Sequence, residues 1–566
     1  MMLKNNFIFF RYFIVLFISS LTTNAQTNTS QEIKIDGLIT LSYENYNYNT
    51  SNYPDFRPRY PKDLVRLTAN STIHIGKYLN IPIGINISNQ KTTYNYPTLP
   101  EEGVYNYIRN PRNNFHINPN YKWMHFKIGS NTPKFSELTT GNIQIFGVGF
   151  DINPKKIIFS ANYGNSQFAI EPDALLNVQG AYKQNMIATR VGWGKLNGSK
   201  ITLNFVKIKD DVTSVIDAPI GVKPMEGINL SPYAELKITK NINFKTETAA
   251  SIKTVDLLAD NNLISSDNSF IKINNSSAID YAHTTSINYH KKSFSIGGEY
   301  RYVGPGYLFV GYRNQEVDLK DYKINTNTRF LKNKLNIKAT IGLRTNNIKN
   351  TKLSKNSRFI TNLNVFTQLT EQLSINASYN NFGFRNNVTD NSLRIEMVNN
   401  SYSLTPTYQI KSKTKFQQIT LNANLDTFNQ YDFLSDSFIN TTSNSYNANY
   451  ILSYTNTPLT LGANVLYLKN SSALSNFNLL NYGVNLGYRF FDKKLKSNVM
   501  FTMTNLKRND FTPDNRLNIR LKLGYKINKS MQANMLYSLN NNRYGSYRPN
   551  AISNENKIQV SLTKKL

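Results

Sequence analysis

The sequence contains no cysteine, so it can hold no disulfide, thiolate-bound metal or iron–sulfur cluster. Histidine is scarce. The five residues His74, His116, His125, His283 and His290 form no H-E-x-x-H pair or other zinc spacing. There is no G-x-S-x-G elbow and no phosphate-binding glycine loop. Long apolar runs are also missing. After residue 25 nothing approaches the roughly 18 apolar residues of a membrane helix, and the mean hydropathy is -0.44. A helical membrane protein is excluded. A β-barrel is not, because its lumen-facing residues dilute the average. Acidic residues are few, with 35 Asp and Glu against 65 Lys and Arg, for a net charge of +30. Such a balance suggests nucleic acid first; the plainer explanation is a coding bias that also crowds the chain with Asn, Ile and Tyr.

Residues 1–25 have the layout of a secretory signal. Lys4 and Arg11 supply positive charge, Tyr12 to Ile18 a short apolar core, and Thr23 and Ala25 the small residues of a cleavage site before Gln26. A chain that leaves the cytoplasm has no nucleic acid to meet. The expected organisation is a signal peptide, 1–25, followed by one unit, 26–566.

From Ile33 onward the dominant period is two. In the stretch from Ile242 to Ile252, Ile242, Phe244, Ala250 and Ile252 share one face, and Asn243, Lys245, Glu247 and Ser251 the other. The same alternation runs through 335–344, 373–379, 482–490 and 517–525. Side chains alternate across a strand, so each segment has one apolar and one polar face. The connections alternate too. Short turns at 153–156, 195–200, 239–241, 291–292, 331–335, 370–372, 411–415, 492–494 and 528–530 are separated by longer stretches such as 89–112, 166–182, 209–226, 254–277, 383–397 and 428–442. The reading is all-β: a single large antiparallel transmembrane β-barrel of about 26 strands (22–28), with short periplasmic turns and long outer loops. β-Sandwiches or a propeller would need linkers or a blade-length repeat, and neither is present. The stretch 89–140, which holds Trp123, has the weakest alternation and is a candidate inward-folded loop.

On this pattern, across 31–566, the sequence resembles Gram-negative outer-membrane β-barrel proteins. The segment Ile558 to Leu566 looks like a final strand read by barrel assembly machinery, although it ends in Leu rather than an aromatic residue. The region from Tyr302-Val-Gly-Pro-Gly-Tyr307 to Leu335 looks like a stretch in uncharacterised large barrels of bacteria with type IX secretion. TonB-dependent receptors of this size carry a plug before the barrel. Alternation here starts at Ile33, which implies an unplugged barrel, porin-like or secretion-associated, in the cell outer membrane.

Parity assigns the charges. Charge facing lipid at the midplane costs roughly 2–4 kcal/mol per Arg or Lys. The basic residues on polar strand faces, Arg301, Lys323, Arg329, Lys338, Arg344, Arg489, Arg520 and Lys522, are therefore expected to line the lumen. Lys526 follows the same parity, and Glu299 and Asp321 share that face. Basic residues outnumber acidic ones there, which favours anions; a wall of stiffening ion pairs is the alternative. A second basic set, Lys155, Lys156, Lys291, Lys292, Lys332, Lys334, Lys493 and Lys494, sits at the short turns, where anionic headgroups attract cations. Tyr43, Tyr302, Tyr379 and Tyr488 lie near strand ends, as interfacial girdles require.

The expected function is a channel for small polar, anionic solutes. The alternative is a structural or secretion-associated barrel whose lumen is filled by its own loops, with 89–140 and 254–277 as candidates, or by a periplasmic or surface partner. The expected contacts are outer-membrane lipids, with no cofactor, no metal and no nucleic acid. No enzymatic activity is expected; the one lead, His283, has lipid-facing parity. Calcium at Asp260 to Asp267 has only a loop-like acidic run in its favour, without EF-hand spacing.

Overall fold

The computed structural model describes residues 33–89, 108–109, 113–174, 178–259, 270–310, 315–386, 394, 396–432, 436–472 and 476–566. The expected signal peptide and the acidic run 260–267 lie outside the described residues.

The described chain forms one closed antiparallel β-barrel of 26 strands. Each strand pairs with its neighbours in sequence, and the ring closes where Ile33–Ser51 meets Ile552–Lys565, from Leu38 opposite Lys565 to Ser51 opposite Ile552. One wall position is filled by two short pieces, His116–Ile117 and Asn120–Tyr121. Pro119, which has no N–H to give a ladder, lies in the break. Closure leaves no sheet edge and pairs the backbone within the wall, which is what hydrocarbon demands.

Alternation decides which face goes where. In Phe477–Phe490, Tyr482, Val484 and Leu486 point outward, with Val484 58% exposed, while Asn481, Gly483 and Asn485 point inward. In Leu319–Phe330, Tyr322, Ile324 and Phe330 point outward, and Asp321, Lys323 and Arg329 inward. Such an apolar belt far exceeds the patch a water-soluble monomer exposes.

Aromatic contacts mark both margins of the belt. At the turn edge Tyr488 meets Phe490 at 4.5 Å and Tyr289 meets Phe294 at 6.3 Å between ring centroids. At the loop edge Tyr281 stacks on Tyr302 at 4.7 Å and Tyr379 meets Tyr402 at 4.9 Å. Phe294 and Tyr302 stand at opposite ends of one strand. With barrel tilt that separation is about 20 Å, close to the apolar band of an outer-membrane wall.

The two edges differ as the sequence implies. Turns such as 292–293, 331–334 and 491–494 occupy one edge; 132–144, 168–182, 212–225 and 304–318 occupy the other. The stretch 428–442 is a correction. It is mostly strand, because Lys415–Asp432 and Ser437–Tyr454 approach one another through residues 433–436 alone. Both faces are polar there, so no apolar alternation announces the strands.

Candidate permeation path

Two inserts from the loop edge turn into the barrel. The first, 132–144, joins Met124–Asn131 to Ile145–Ile152; the second, 304–318, follows Phe294–Val303 and is described over 304–310 and 315–318. Their apolar side chains meet inward-facing wall residues in two buried clusters. Leu138, Tyr307 and Phe309 pack with Ala249, Ala282, Val303 and Leu319. Leu308 and Val310 pack with Met186, Ala188, Val206 and Ile208. A Cβ on Gly227 would lie 2.1 Å from Leu308 Cδ2, so glycine lets the second insert reach the wall.

Polar contacts lock the inserts. Tyr307 Oη donates to the Leu138 carbonyl at 2.5 Å, and Asn229 Nδ2 donates to Tyr307 Oη at 2.6 Å. Glu247 accepts from Ser231 Oγ at 2.5 Å and also from Ser136 of the first insert. Asp280 accepts the Gly306 N–H at 2.8 Å and pairs with Lys349 at 3.0 Å. Gly304 has no room for a side chain, because its Cβ would lie 2.1 Å from Asp280 Oδ1.

Register places all eight sequence-predicted lumen residues on the inner face, but they divide in two. Arg301 pairs with Glu137 of the first insert at 2.7 Å. Arg344 bridges Asp321 at 2.6 Å and Glu316 of the second insert at 2.7 Å. Lys323 lies 3.3 Å from Asp321 and 3.4 Å from Glu299. All three cations are committed to carboxylates; Arg301 and Arg344 hold the filling in place, and Lys323 pairs within the wall. Arg329, Lys338, Arg489, Arg520 and Lys522 have no ion-pair partner among the described residues.

The turn-edge set is as separate in space as in sequence. Lys155, Lys156, Lys292, Lys332, Lys334, Lys493 and Lys494 lie in turns, and Lys291 ends a strand. Lys156 sits over the Trp193 ring at 6.0 Å. Lys332 and Lys493 have positive φ, 54° and 71°.

The inserts cover only part of the wall. Toward the loop edge, inner residues from Ile145 to Ser251 are deeply buried, with Asn204 and Asn229 both at 0% exposure. From Asn356–Gln368 to Asp514–Lys526 the inner face is mostly half-buried, with Asn362 and Arg489 exposed. Asparagine amides line it and bond to one another across strands: Asn364 to Asn376 at 3.0 Å, Asn464 to Asn481 at 3.3 Å, Asn498 to Asn485 at 2.5 Å, and Asn362 to Asn380. Each amide has four hydrogen-bonding positions, so the ladder leaves donors and acceptors for water or solute. The inward parity of these asparagines is readable in the sequence, where their number alone reads as coding bias.

The described parts of 254–277 fold against the loop-edge rim rather than into the lumen. Lys207, on the outward face, sits over the Phe270 ring at 4.4 Å, and Lys272 N donates to Glu226 at 3.1 Å. Nearby, Lys223 Nζ donates to Asp256 at 2.7 Å, and this contact holds the Asp256 carboxyl below its usual range. His283 faces outward, where it shares a 2.8 Å hydrogen bond with Thr248 Oγ1. Among the described residues no cluster of three or more His, Asp or Glu is placed to hold a metal ion.

Fold and site together define a large closed β-barrel with an apolar exterior and a polar, partly filled interior. No protein-family model matches the sequence, and no curated protein matches it. Solved structures similar to it include OccAB2 of Acinetobacter baumannii, with 13% identity, 65% of this chain and 97% of that chain covered and a TM-score of 0.30. The PapC usher translocation pore of the P pilus has 9% identity, covers 94% and 99%, and has a TM-score of 0.36. The alcaligin outer-membrane receptor FauA of Bordetella pertussis has 9% identity, covers 94% and 76%, and has a TM-score of 0.37. These are outer-membrane proteins; at such scores the likeness carries no argument about this chain.

Proposed function

We propose that the protein is an outer-membrane channel for small polar solutes, with a preference for anions. The observation that carries the reading is the uneven filling of the lumen. Two clamped inserts bury the inner face of one side, while the other side presents accessible amides and unpaired cations. A circular wall of 26 strands would be about 50 Å across, backbone to backbone, wide enough to breach the membrane if empty. Inserts that narrow such a ring without sealing it leave a selective path. Lipid takes the apolar belt, and the turn-edge lysines meet the inner leaflet.

A second reading is a structural or secretion-associated barrel whose inserts complete the seal with a partner. The ion pairs fastening both inserts favour it. Conductance of the purified protein in planar bilayers separates the two. Anion-selective steps support the channel; absent conductance, or clear cation preference, overturns it. Neither reading involves catalysis: His283 is accommodated as a hydrogen-bonded residue of the lipid face, and hydrolase activity lost in His283→Ala would refute that.

A further inference from the structure

We infer that Arg489, Lys496, Arg520, Lys522 and Lys526 form a binding patch for multivalent oxyanions of the phosphate or sulfate type, in the lumen near the turn edge. The inference rests on the channel reading and adds a ligand class to its path.

Three consecutive strands build the patch: Phe477–Phe490, Leu495–Arg508 and Asp514–Lys526. Arg489 stands directly opposite Lys496 across the first pair. Lys522 stands opposite Asn498, two residues along from Lys496, and Arg520 stands opposite Met500. All share the inward parity of Asn485 and Asn498. Arg489 lies between Tyr488 and Phe490 of the turn-edge girdle, so the patch starts at the mouth and continues inward through Lys522 to Arg520.

Like charges facing one another across strands destabilise a sheet. Elsewhere on the inner wall facing or neighbouring cations have an acid between them, as Arg344 and Arg358, directly opposite one another, have Glu316. Lys127 has Asp151 at 2.8 Å, Lys557 has Glu44 at 2.8 Å, and Arg508 and Arg516 share Asp514 at 2.6 and 3.5 Å. No side chain among these five cations makes a hydrogen bond or ion pair to any described residue. Arg329 and Lys338 are also unpaired, but five unpaired cations gather at the turn-side end of these three strands, whose one inward acid, Asp514, lies at the loop-side end with Arg508 and Arg516. An oxyanion supplies the missing counter-charge and takes charge-assisted hydrogen bonds. The amides of Asn485 and Asn498 adjoin the patch and bond each other at 2.5 Å, each with a donor to spare.

The test uses full-length protein in planar bilayers, with tripolyphosphate added on the turn side. Tripolyphosphate should reduce the chloride current at concentrations where sulfate has a weaker effect. In Arg489→Gln/Arg520→Gln/Lys522→Gln the blocking concentration should rise about tenfold or more. Lys292→Gln, at a turn, should block as wild type does. Lys522→Glu gives a second readout should the triple variant fail to insert. Inorganic phosphate and glucose 6-phosphate, compared as blockers, distinguish a site for the free ion from one for phosphorylated solutes. Equal block in wild type and variants overturns the patch while leaving an anion-selective channel standing. If the protein conducts nothing, the channel reading falls, and calorimetry of tripolyphosphate binding to detergent-purified protein decides the patch: binding weakened by the triple variant supports it, and no binding overturns it.

Discussion

Leu138→Ala tests whether the first insert is a fixed obstruction. Leu138 is 1% exposed and packs among Ala249, Ala282, Val303 and Tyr307. Truncating a buried leucine costs about 2–5 kcal/mol. The cost falls on the contact between insert and wall, because the barrel's own ladder does not include Leu138. A loss of about 3 kcal/mol multiplies the ratio of detached to docked insert by roughly a hundredfold. Ser136 to Glu247 and Glu137 to Arg301 still oppose release, so detachment should be intermittent. Single-channel recordings should show excursions to a higher conductance level that wild type visits rarely, and cells should admit large antibiotics. Tyr307→Phe should act in the same direction but less. It removes the 2.5 Å bond to the Leu138 carbonyl, which retains Asn229 at 3.3 Å, a loss of about 1–3 kcal/mol. An unchanged conductance histogram in Leu138→Ala, with the variant still migrating as a folded barrel, would refute the reasoning.

Further predictions concern the wall and its edges. Val484→Arg, on the outward face, should lower stability by about 2–4 kcal/mol in lipid, whereas inward Asn485→Arg should cost far less; equal costs in a liposome refolding titration would contradict the assigned faces. Lys332→Gly should stabilise by about 1 kcal/mol, because glycine accepts the left-handed φ of 54° at that turn; a lowered guanidinium midpoint would count against it. The Lys223–Asp256 contact should loosen in acid. The folded carboxyl titrates below its unfolded value, so the contact's contribution is complete above that value and is lost as pH falls through the lowered one, below about 4. Hydrogen exchange at 255–259 should accelerate there in wild type, and Lys223→Gln should reduce the pH dependence to the part carried by the Leu258 N–H, which donates to Asp256 at 2.9 Å.

Much of this architecture is legible in the residue order, and for one reason: a strand's two faces alternate, so parity alone separates Ile324 from Lys323 and Val484 from Asn485. Turn lengths then distinguish the two edges. The filling of the lumen is less legible. Glu137 meets Arg301 across 164 positions of sequence, and nothing local to either residue announces the pair. The stretch 89–140 was suspect for its broken alternation and does contain most of the first insert. The second insert, around Tyr307, is hidden in the sequence because its apolar residues continue the greasy texture of the preceding strand. The tall strands near 428–442 are hidden for the opposite reason. They carry polar residues on both faces, so ladder pairing holds them and no apolar rhythm marks them.

The lopsided distribution of inserts has a geometric consequence. Since the filling enters from one sector and leans on it, a solute carried by the proposed channel would travel off-axis, pressed toward the opposite arc. Such a passage is read by a single curved wall. Its preferences can be rewritten one strand at a time, whereas a concentric eyelet would demand changes around its whole circumference.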